Sequence, residues 1–284
     1  MIVSAARSYR ENNPGIGCVK LHMILRKVFT DIDDFPGRDA FTDLLKQNDL
    51  MVRMKRRKRY KTTYSNHNYR KYPNLIKDIV ASRPNQIWVS DITYIETAEG
   101  VCYLSLITDA YSRKIVGWAL GETLEAIYPI NALNMALSGL NGTKERLIHH
   151  SDRGCQYCSY AYVALLKEYG IDISMTQSGD PLENAIAERT NGILKSEWLY
   201  KMEIKTKHEC KALIDRIILF YNNERPHMSI DYLTPSEAHS TTGVLERRWK
   251  NQYIKKENKE NKELRCIDRF TVLKSDEQRI CQPF

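Results

Sequence analysis

Three consecutive segments with the period of a β-strand, followed by alternating helix and strand patterns, most constrain the fold of this chain. "IWVSDITYIET" alternates apolar and polar residues, and "VCYLSLITDAY" and "KIVGWALGE" follow it across turn signals. "TLEAIYPINALNMALSGL" reads as a helix with Thr123 as its N-cap. "RLIHHSD" is a fourth strand, leading to the helix "YAYVALLKEYG", which Gly170 closes. "IDISM" is a fifth strand, then "PLENAIAERTNGILKSEWLY" is a helix with Pro181 in its first turn, and "KHECKALIDRIILFYNNE" is another. The order β-β-β-α-β-α-β-α-α predicts an α/β domain over residues 86–240, a mixed five-stranded sheet flanked by helices.

Charge separates this domain from what precedes it. Residues 1–84 hold 18 Lys/Arg and 8 Asp/Glu, a net of +10, while the other 200 residues hold 25 basic and 27 acidic groups, a net of −2. Such an asymmetry is the footprint of a polyanion-binding region joined to a near-neutral domain. Residues 4–28 predict two helices around the turn "NNPGIG", and "GRDAFTDLLKQNDL" a third, so residues 1–52 are expected to be a small helix-turn-helix-like DNA-binding region. Residues 53–85 read as a basic linker. Arg53, Lys55, Arg56, Arg57, Lys58, Arg59 and Lys61 crowd its start, and they are expected to contact DNA phosphates. Residues 241–284 form a polar tail in which "CIDRFTVLK" adds one late strand.

No apolar run reaches the roughly 18 residues of a membrane helix, and the N-terminus lacks the layout of a secretory signal. Seven cysteines scattered from Cys18 to Cys281 read as free thiols of a reducing compartment, so a cytoplasmic protein is expected, nucleoid-associated when bound to DNA.

Three carboxylates have unusual surroundings. Asp91 interrupts an apolar strand, Asp152 ends one, and Glu188 lies within a helix. Taken singly, each has an ordinary reading: a solvent-facing strand residue, a turn or capping aspartate, a solvated helix face. Together they can meet at one edge of the sheet, with Lys195 seven residues beyond Glu188 on the same helical face. Hard carboxylate oxygens suit Mg²⁺ or Mn²⁺, and a pair of such ions can activate both the attacking and the leaving oxygen of a phosphodiester. Asp109, in "ITDAYSRK", reads as a turn residue.

The segments "WVSDITYI", "HHSDRGCQY", "ENAIAERTNGILKSE" and "YNNERPHMSIDYLTPSEA" resemble, in order, the signatures of the integrase-like catalytic core in bacterial insertion-sequence transposases. These are second-frame products of two-frame elements, related to retroviral integrases. The resemblance runs from about Gln86 to Ala238. It implies a ribonuclease-H-like fold, a catalytic and metal-binding triad of Asp91, Asp152 and Glu188, and a DNA contact for Lys195. Where the family often has an aromatic residue and Asp before Asn, this chain has Leu182 and Glu183 before Asn184, which makes Glu183 a rival acid. Thr190, not a base, lies seven residues after Glu183, so Glu188 is preferred. The resemblance also marks Arg225 and His227, either as DNA contacts or as braces.

His149, His150, Cys155 and Cys158 offer zinc-type ligands, but adjacent histidines on a strand point to opposite faces, and no second Cys-x-x-Cys pair supports them. His149 is expected to be packed in the structure, and Gln156 and Tyr157 to touch DNA just beyond Asp152. The reading is a DNA transposase that cuts and joins strands of double-stranded DNA with two Mg²⁺ or Mn²⁺ ions, as a homo-oligomer on DNA, with an upstream-frame helix-turn-helix protein as a fusion partner. A catalytically silent DNA-binding derivative is the alternative. A nuclease of RNA–DNA hybrids fits the same fold but leaves the basic N-terminal region without a use.

Overall fold

The computed structural model describes residues 1–30, 34–52, 67–77, 79–140, 145–177, 181–246 and 248. The basic run Arg53–Lys61 and the late strand expected at 266–274 lie outside the described residues. In chain order the elements are α1 (Ile2–Asn12), α2 (Cys18–Val28), α3 (Arg38–Gln47), β1 (Ile87–Thr97), β2 (Gly100–Asp109), β3 (Ile115–Gly121) and α4 (Ile127–Ser138). Then come β4 (Ile148–Ser151), α5 (Cys155–Cys158), α6 (Tyr160–Glu168), β5 (Asp172–Met175), α7 (Ala185–Leu194), α8 (Lys207–Asn223) and α9 (Pro235–His239).

The five strands form one sheet in the order β3-β2-β1-β4-β5. The first three are antiparallel, and β4 and β5 run parallel to β1. Both faces are covered. Trp88, Ile92 and Ile107 pack with α4 and α6 through Leu133, Leu137, Tyr162 and Leu166. Ile95, Leu104 and Leu106 pack with α7 and α8 through Leu194, Ile214, Ile217 and Tyr221. Ile87 and Val89 meet Ala187 of α7 on that same side. Because both faces are covered, β1 is buried almost continuously around Asp91 and not at alternate residues as its sequence suggested.

Two helices depart from expectation. Helix α4 begins at Ile127 after Ala126, not at Thr123, and no side chain caps it. Pro129 sets this start, because proline lacks an N–H and its ring clashes with the preceding turn anywhere but in the first turn of a helix. The single helix expected over 181–200 is three pieces: a 3₁₀ turn Pro181–Asn184, α7, and a π-turn Lys195–Leu199. The π-turn inserts extra backbone, so that Glu197, Trp198 and Leu199 are all buried in succession.

That π-turn receives the N-terminal helices, which share their own core of Ile16, Leu21, Leu25, Phe41 and Leu45. Trp198 Nε1 donates to the Asn12 carbonyl at 2.7 Å. Glu197 accepts from Asn13 Nδ2 at 3.1 Å and Lys20 Nζ at 3.3 Å. A Cβ on Gly15 would lie 2.3 Å from Glu197 Cα, so only glycine permits this approach. Residues 1–246 accordingly form one compact unit. Part of the expected linker also packs on the sheet: the Met175 N–H donates to the Pro73 carbonyl, the Leu75 N–H donates to Ser174 Oγ, and Leu75 and Ile76 are packed on the core beside α7.

Candidate active site

Two Ser-Asp doublets occupy neighbouring parallel strands. Ser90 of β1 is in register with Ser151 of β4, and each is followed by an aspartate, Asp91 within β1 and Asp152 just past the end of β4. Adjacent strands lie about 4.8 Å apart, so this register brings the two aspartates to one level of the sheet. Helix α7 is fastened over them at two points. Asn184, its N-cap residue, donates to the Ser90 carbonyl at 3.0 Å, and Asn191 Nδ2 donates to Asp91 Oδ2 at 2.9 Å.

The carboxylates lie within electrostatic reach of one another. The Asp91 carboxyl is pushed up to about 7, first by burial and then by the charge of Asp152, with a smaller push from Glu188. The bonds from Asn191 and from the Ile92 N–H pull it the other way without prevailing. Asp152 is partly exposed, and its Oδ1 accepts the Gly154 N–H at 2.9 Å in the turn into α5. Glu188 is exposed in the first turn of α7. Among the described residues, no three His, Cys, Asp or Glu side chains converge closely enough to cage an ion. In donor chemistry the pair Asp91 and Asp152 fits a hard divalent cation, whose charge would offset both the burial and the repulsion that raise the Asp91 carboxyl.

Lys195, at the start of the π-turn, lies with Nζ 3.6 Å from the centroid of the Tyr94 ring. Burial lowers its ammonium to about 8, against the upward pull of Asp91 and Glu96. It therefore stands within electrostatic reach of Asp91, on the face it shares with Asn191. Asn191 and Tyr94 escaped the sequence reading. Asn191 was legible in its spacing, three residues after Glu188 and four before Lys195, which places all three on one helical face.

Other candidates have structural positions. Gln156 is buried, with Nε2 donating to the Leu124 carbonyl at 2.9 Å, and Tyr157 is buried as well, so both brace α5 instead of presenting a surface to DNA. Asp109 is fully buried and accepts from the Asn85 N–H, the Ser112 N–H and Ser112 Oγ, the turn role expected of it. Glu183 accepts the Gln177 N–H, which ties this rival acid to the backbone of its own loop. Arg225, 1% exposed, clamps Glu197 through Nε at 2.7 Å and Nη2 at 2.6 Å, while its Nη1 donates to His227 Nε2 at 2.8 Å. Arg225 and His227 are therefore braces.

The histidines settle the zinc question. His149 Nε2 meets Ser90 Oγ at 2.7 Å and Tyr162 OH at 2.9 Å on the α6 side of the sheet. His150 faces the other side, where Nδ1 meets Ser174 Oγ at 2.8 Å and Nε2 meets the Glu183 carbonyl at 3.1 Å. Since a carbonyl only accepts, His150 carries its proton on Nε2. Burial lowers both rings, to about 3 for His149 and about 4 for His150. Cys158 points its thiol at Met175 Sδ, 3.6 Å away.

With this geometry in view, comparison with known proteins is consistent. Residues 81–181 match an integrase core domain family, and residues 169–235 match a second family of the same description. Over 202 residues the chain is 39% identical to the insertion element IS600 uncharacterized 31 kDa protein of Shigella sonnei, covering 70% of this chain and 74% of that protein. Over 185 residues it is 35% identical to the transposase for insertion sequence element IS629 of Shigella sonnei, covering 64% of this chain and 61% of that protein. The chain thus spans about six-tenths of the second relative's length. The simian T-cell lymphotropic virus intasome, solved with PP2A regulatory subunit B56 gamma, shares the fold at a TM-score of 0.50 and 15% identity, over 87% of this chain and 78% of that one. The sheet is therefore the ribonuclease-H-like one of integrases, and the chain belongs to the insertion-sequence transposases built on an integrase core domain.

Proposed function

We propose that this transposase cuts and joins DNA strands by phosphoryl transfer at Asp91, Asp152 and Glu188, with two Mg²⁺ or Mn²⁺ ions as cofactors. The observation that carries the proposal is the like-charge confrontation of Asp91 with Asp152, under a helix that also brings Glu188, Asn191 and Lys195. Asp91 and Asp152 would be the main ligands, with Glu188 completing the set. Bound divalent cations would polarise the attacking oxygen and neutralise the charge on the phosphodiester and the leaving oxygen. The chain's own part is orientation. Asn191 fixes the rotamer of Asp91, the Gly154 N–H fixes Asp152, and the Lys195 ammonium adds positive charge where the DNA backbone must pass. Water, and then a DNA 3′-hydroxyl, is the nucleophile, and no side chain becomes covalently attached.

Double-stranded DNA, both element ends and target, is the proposed partner, engaged by a homo-oligomer. A fused upstream-frame helix-turn-helix protein is proposed to help recognise the element ends. The proposed division is a DNA-binding region at 1–52, a basic linker at 53–85, the catalytic core at 86–240 and a tail at 241–284. Arg53, Lys55, Arg56, Arg57, Lys58, Arg59 and Lys61 would supply sequence-independent affinity. Replacing Arg56, Arg57, Lys58 and Arg59 with Gln should reduce the slope of log affinity against log salt by about 2–4 units. The proposed site of action is the cytoplasm; among the described residues no helix is long and apolar enough to cross a membrane.

The decisive experiment uses element-end DNA, Mg²⁺ or Mn²⁺, and Asp152→Asn, with the upstream product fused if activity requires it. Strand transfer should fall at least about 100-fold, the scale of losing one electrostatic element of such a site, while DNA binding stays near that of the wild type. Activity within about tenfold of wild type would remove Asp152 from the site.

A further inference from the structure

We propose that Tyr69 and Tyr160 form a ledge on which an unpaired DNA base stacks beside Asp152, while Arg70, Lys71 and Arg153 hold the adjoining phosphates. This rests on the DNA-transfer reading above and names a binding site for one form of its substrate.

The ledge is assembled by the segment 67–77. His67 Nε2 donates to the Arg153 carbonyl at 2.9 Å, one residue after Asp152, while the contacts of Pro73 and Leu75 with β5 hold the other end of the segment. From this anchor the rings run outward in contact. His67 and Tyr69 have centroids 5.3 Å apart, and Tyr69 meets Tyr160 edge-on at 5.5 Å and 85°. Tyr160 is 83% exposed and Tyr69 36%. A lone exposed tyrosine needs no explanation, but this one ends a row of touching rings that the part-buried His67–Arg153 carbonyl bond holds in place. An edge-on pair covers only one ring face, so flat aromatic surface remains open to solvent.

Charge identifies what fits there. Arg153 follows Asp152 directly, and the Cys158 thiol, pushed up to about 11 chiefly by burial, is raised further by Asp152 and lowered by Lys71 and Arg153, so all three charges lie within electrostatic reach of it. Arg70 is exposed with its guanidinium carbon 5.2 Å from the Tyr72 ring centroid. Among the described residues no carboxylate bonds Arg70, Lys71 or Arg153, and Arg153 Nε, although shielded from solvent, has no acceptor. Open aromatic faces among unsatisfied cations are the recurring design of single-strand binding, where bases stack and phosphates meet the cations. Bases inside a duplex have no free face. The occupant is therefore an unpaired nucleotide, such as one frayed from a DNA end held at Asp152.

The test uses the full chain and two labelled DNAs, a blunt duplex and the same duplex with a short unpaired tail carrying 2-aminopurine. Wild type should bind the tailed DNA more tightly and quench the tail's fluorescence. Tyr160→Ala should cost about 5- to 150-fold on the tailed DNA, the range measured for base–aromatic stacking, lose the quench, and keep blunt-duplex affinity within about twofold. Tyr160→Phe should behave as wild type, since stacking needs the ring and not the hydroxyl. The ledge is overturned if wild type binds the blunt duplex but gains nothing from the tail. It is equally overturned if Tyr160→Ala weakens both DNAs alike, a result that together with an altered sedimentation coefficient would make this face a contact between copies of the chain. Failure of wild type to bind either DNA, with the upstream product fused as above, would overturn the transposition reading along with the ledge.

Discussion

Asp91 and Glu197 are two shielded carboxylates served by the same stretch of chain, and they are treated in opposite ways. Burial by itself raises both. At Glu197 the paired bonds and charge of Arg225, then Lys20 and Asn13, outweigh burial and draw the carboxyl down to about 2. At Asp91 the bonds from Asn191 and one backbone N–H do not outweigh burial and Asp152, and the carboxyl rises to about 7. The fold is thus able to satisfy a buried acid completely, and does so where the N-terminal helices dock. It leaves Asp91, inside the central strand, without a bonded cation among the described residues. A deficit of that kind is what the proposed divalent cations would fill.

The largest expected effect breaks the satisfied side. Glu197→Ala should destabilise the protein by about 3–5 kcal/mol, because Arg225 is left buried without its partner. Urea unfolding checks this, and a loss near zero would show that the node does not hold the N-terminal helices. Since the Glu197 carboxyl is depressed, its contribution is complete above about pH 4.5 and disappears as pH falls through about 2. The loss in Glu197→Ala should therefore be constant between pH 5 and 8.

Asp91→Asn should do the reverse. A carboxyl raised from 3.8 to about 7 is neutral in both folded and unfolded chains below pH 3.8, so variant and wild type should then be equally pH-sensitive. As pH rises from 3.8 to 7 the unfolded chain ionises while the folded one resists, and wild type loses stability relative to the variant. By pH 7 in EDTA the relative loss should be on the order of 2–4 kcal/mol and then level off. Comparing the two proteins cancels the buried neutral histidines, which both contain. A difference that shrinks as pH rises would contradict the repulsion inferred at Asp91.

The smallest effect is the most diagnostic. Mg²⁺ at a hundred times its dissociation constant should stabilise wild type by about 2.7 kcal/mol, Glu197→Gln by the same amount, and Asp91→Asn by less. Equal Mg²⁺ shifts in all three, measured by thermal unfolding, would separate the charge deficit at Asp91 from metal binding.

What the sequence revealed follows from the range of the interactions involved. The five strands were legible as short runs rich in β-branched and aromatic residues between turn signals, and Asp91 and Asp152 were legible as charges breaking or ending those runs, although two-sided burial replaces the strict alternation expected of β1. The start of α4 was misplaced at Thr123 although Pro129 was in plain view, its limit on helix starts outweighing an attractive N-cap. The π-turn was not legible, since no local pattern distinguishes five residues of π-helix from α-helix. Glu197 was missed for a different reason: its partners Asn13 and Lys20 lie 184 and 177 residues away. Only the packed fold brings them together. Arg225 and His227 were noticed, but whether they touched DNA or braced the core was decided by a contact 28 residues upstream.

The pairing of Ser90 with Ser151 makes the spacing of the proposed site a matter of parity. Side chains alternate along β4, so a one-residue insertion or deletion between Leu147 and Asp152 would exchange the faces of His149 and His150 and put Asp152 out of step with Asp91. The Tyr162 bond and the Glu183 carbonyl bond would fail together, and no small adjustment of the backbone restores an odd count. Length variation among functional relatives should therefore be excluded from this stretch and admitted at turns such as 98–99, where β1 and β2 join at the surface. A library of single-codon insertions scored for transposition would show the boundary as a step, silent on one side and tolerant on the other.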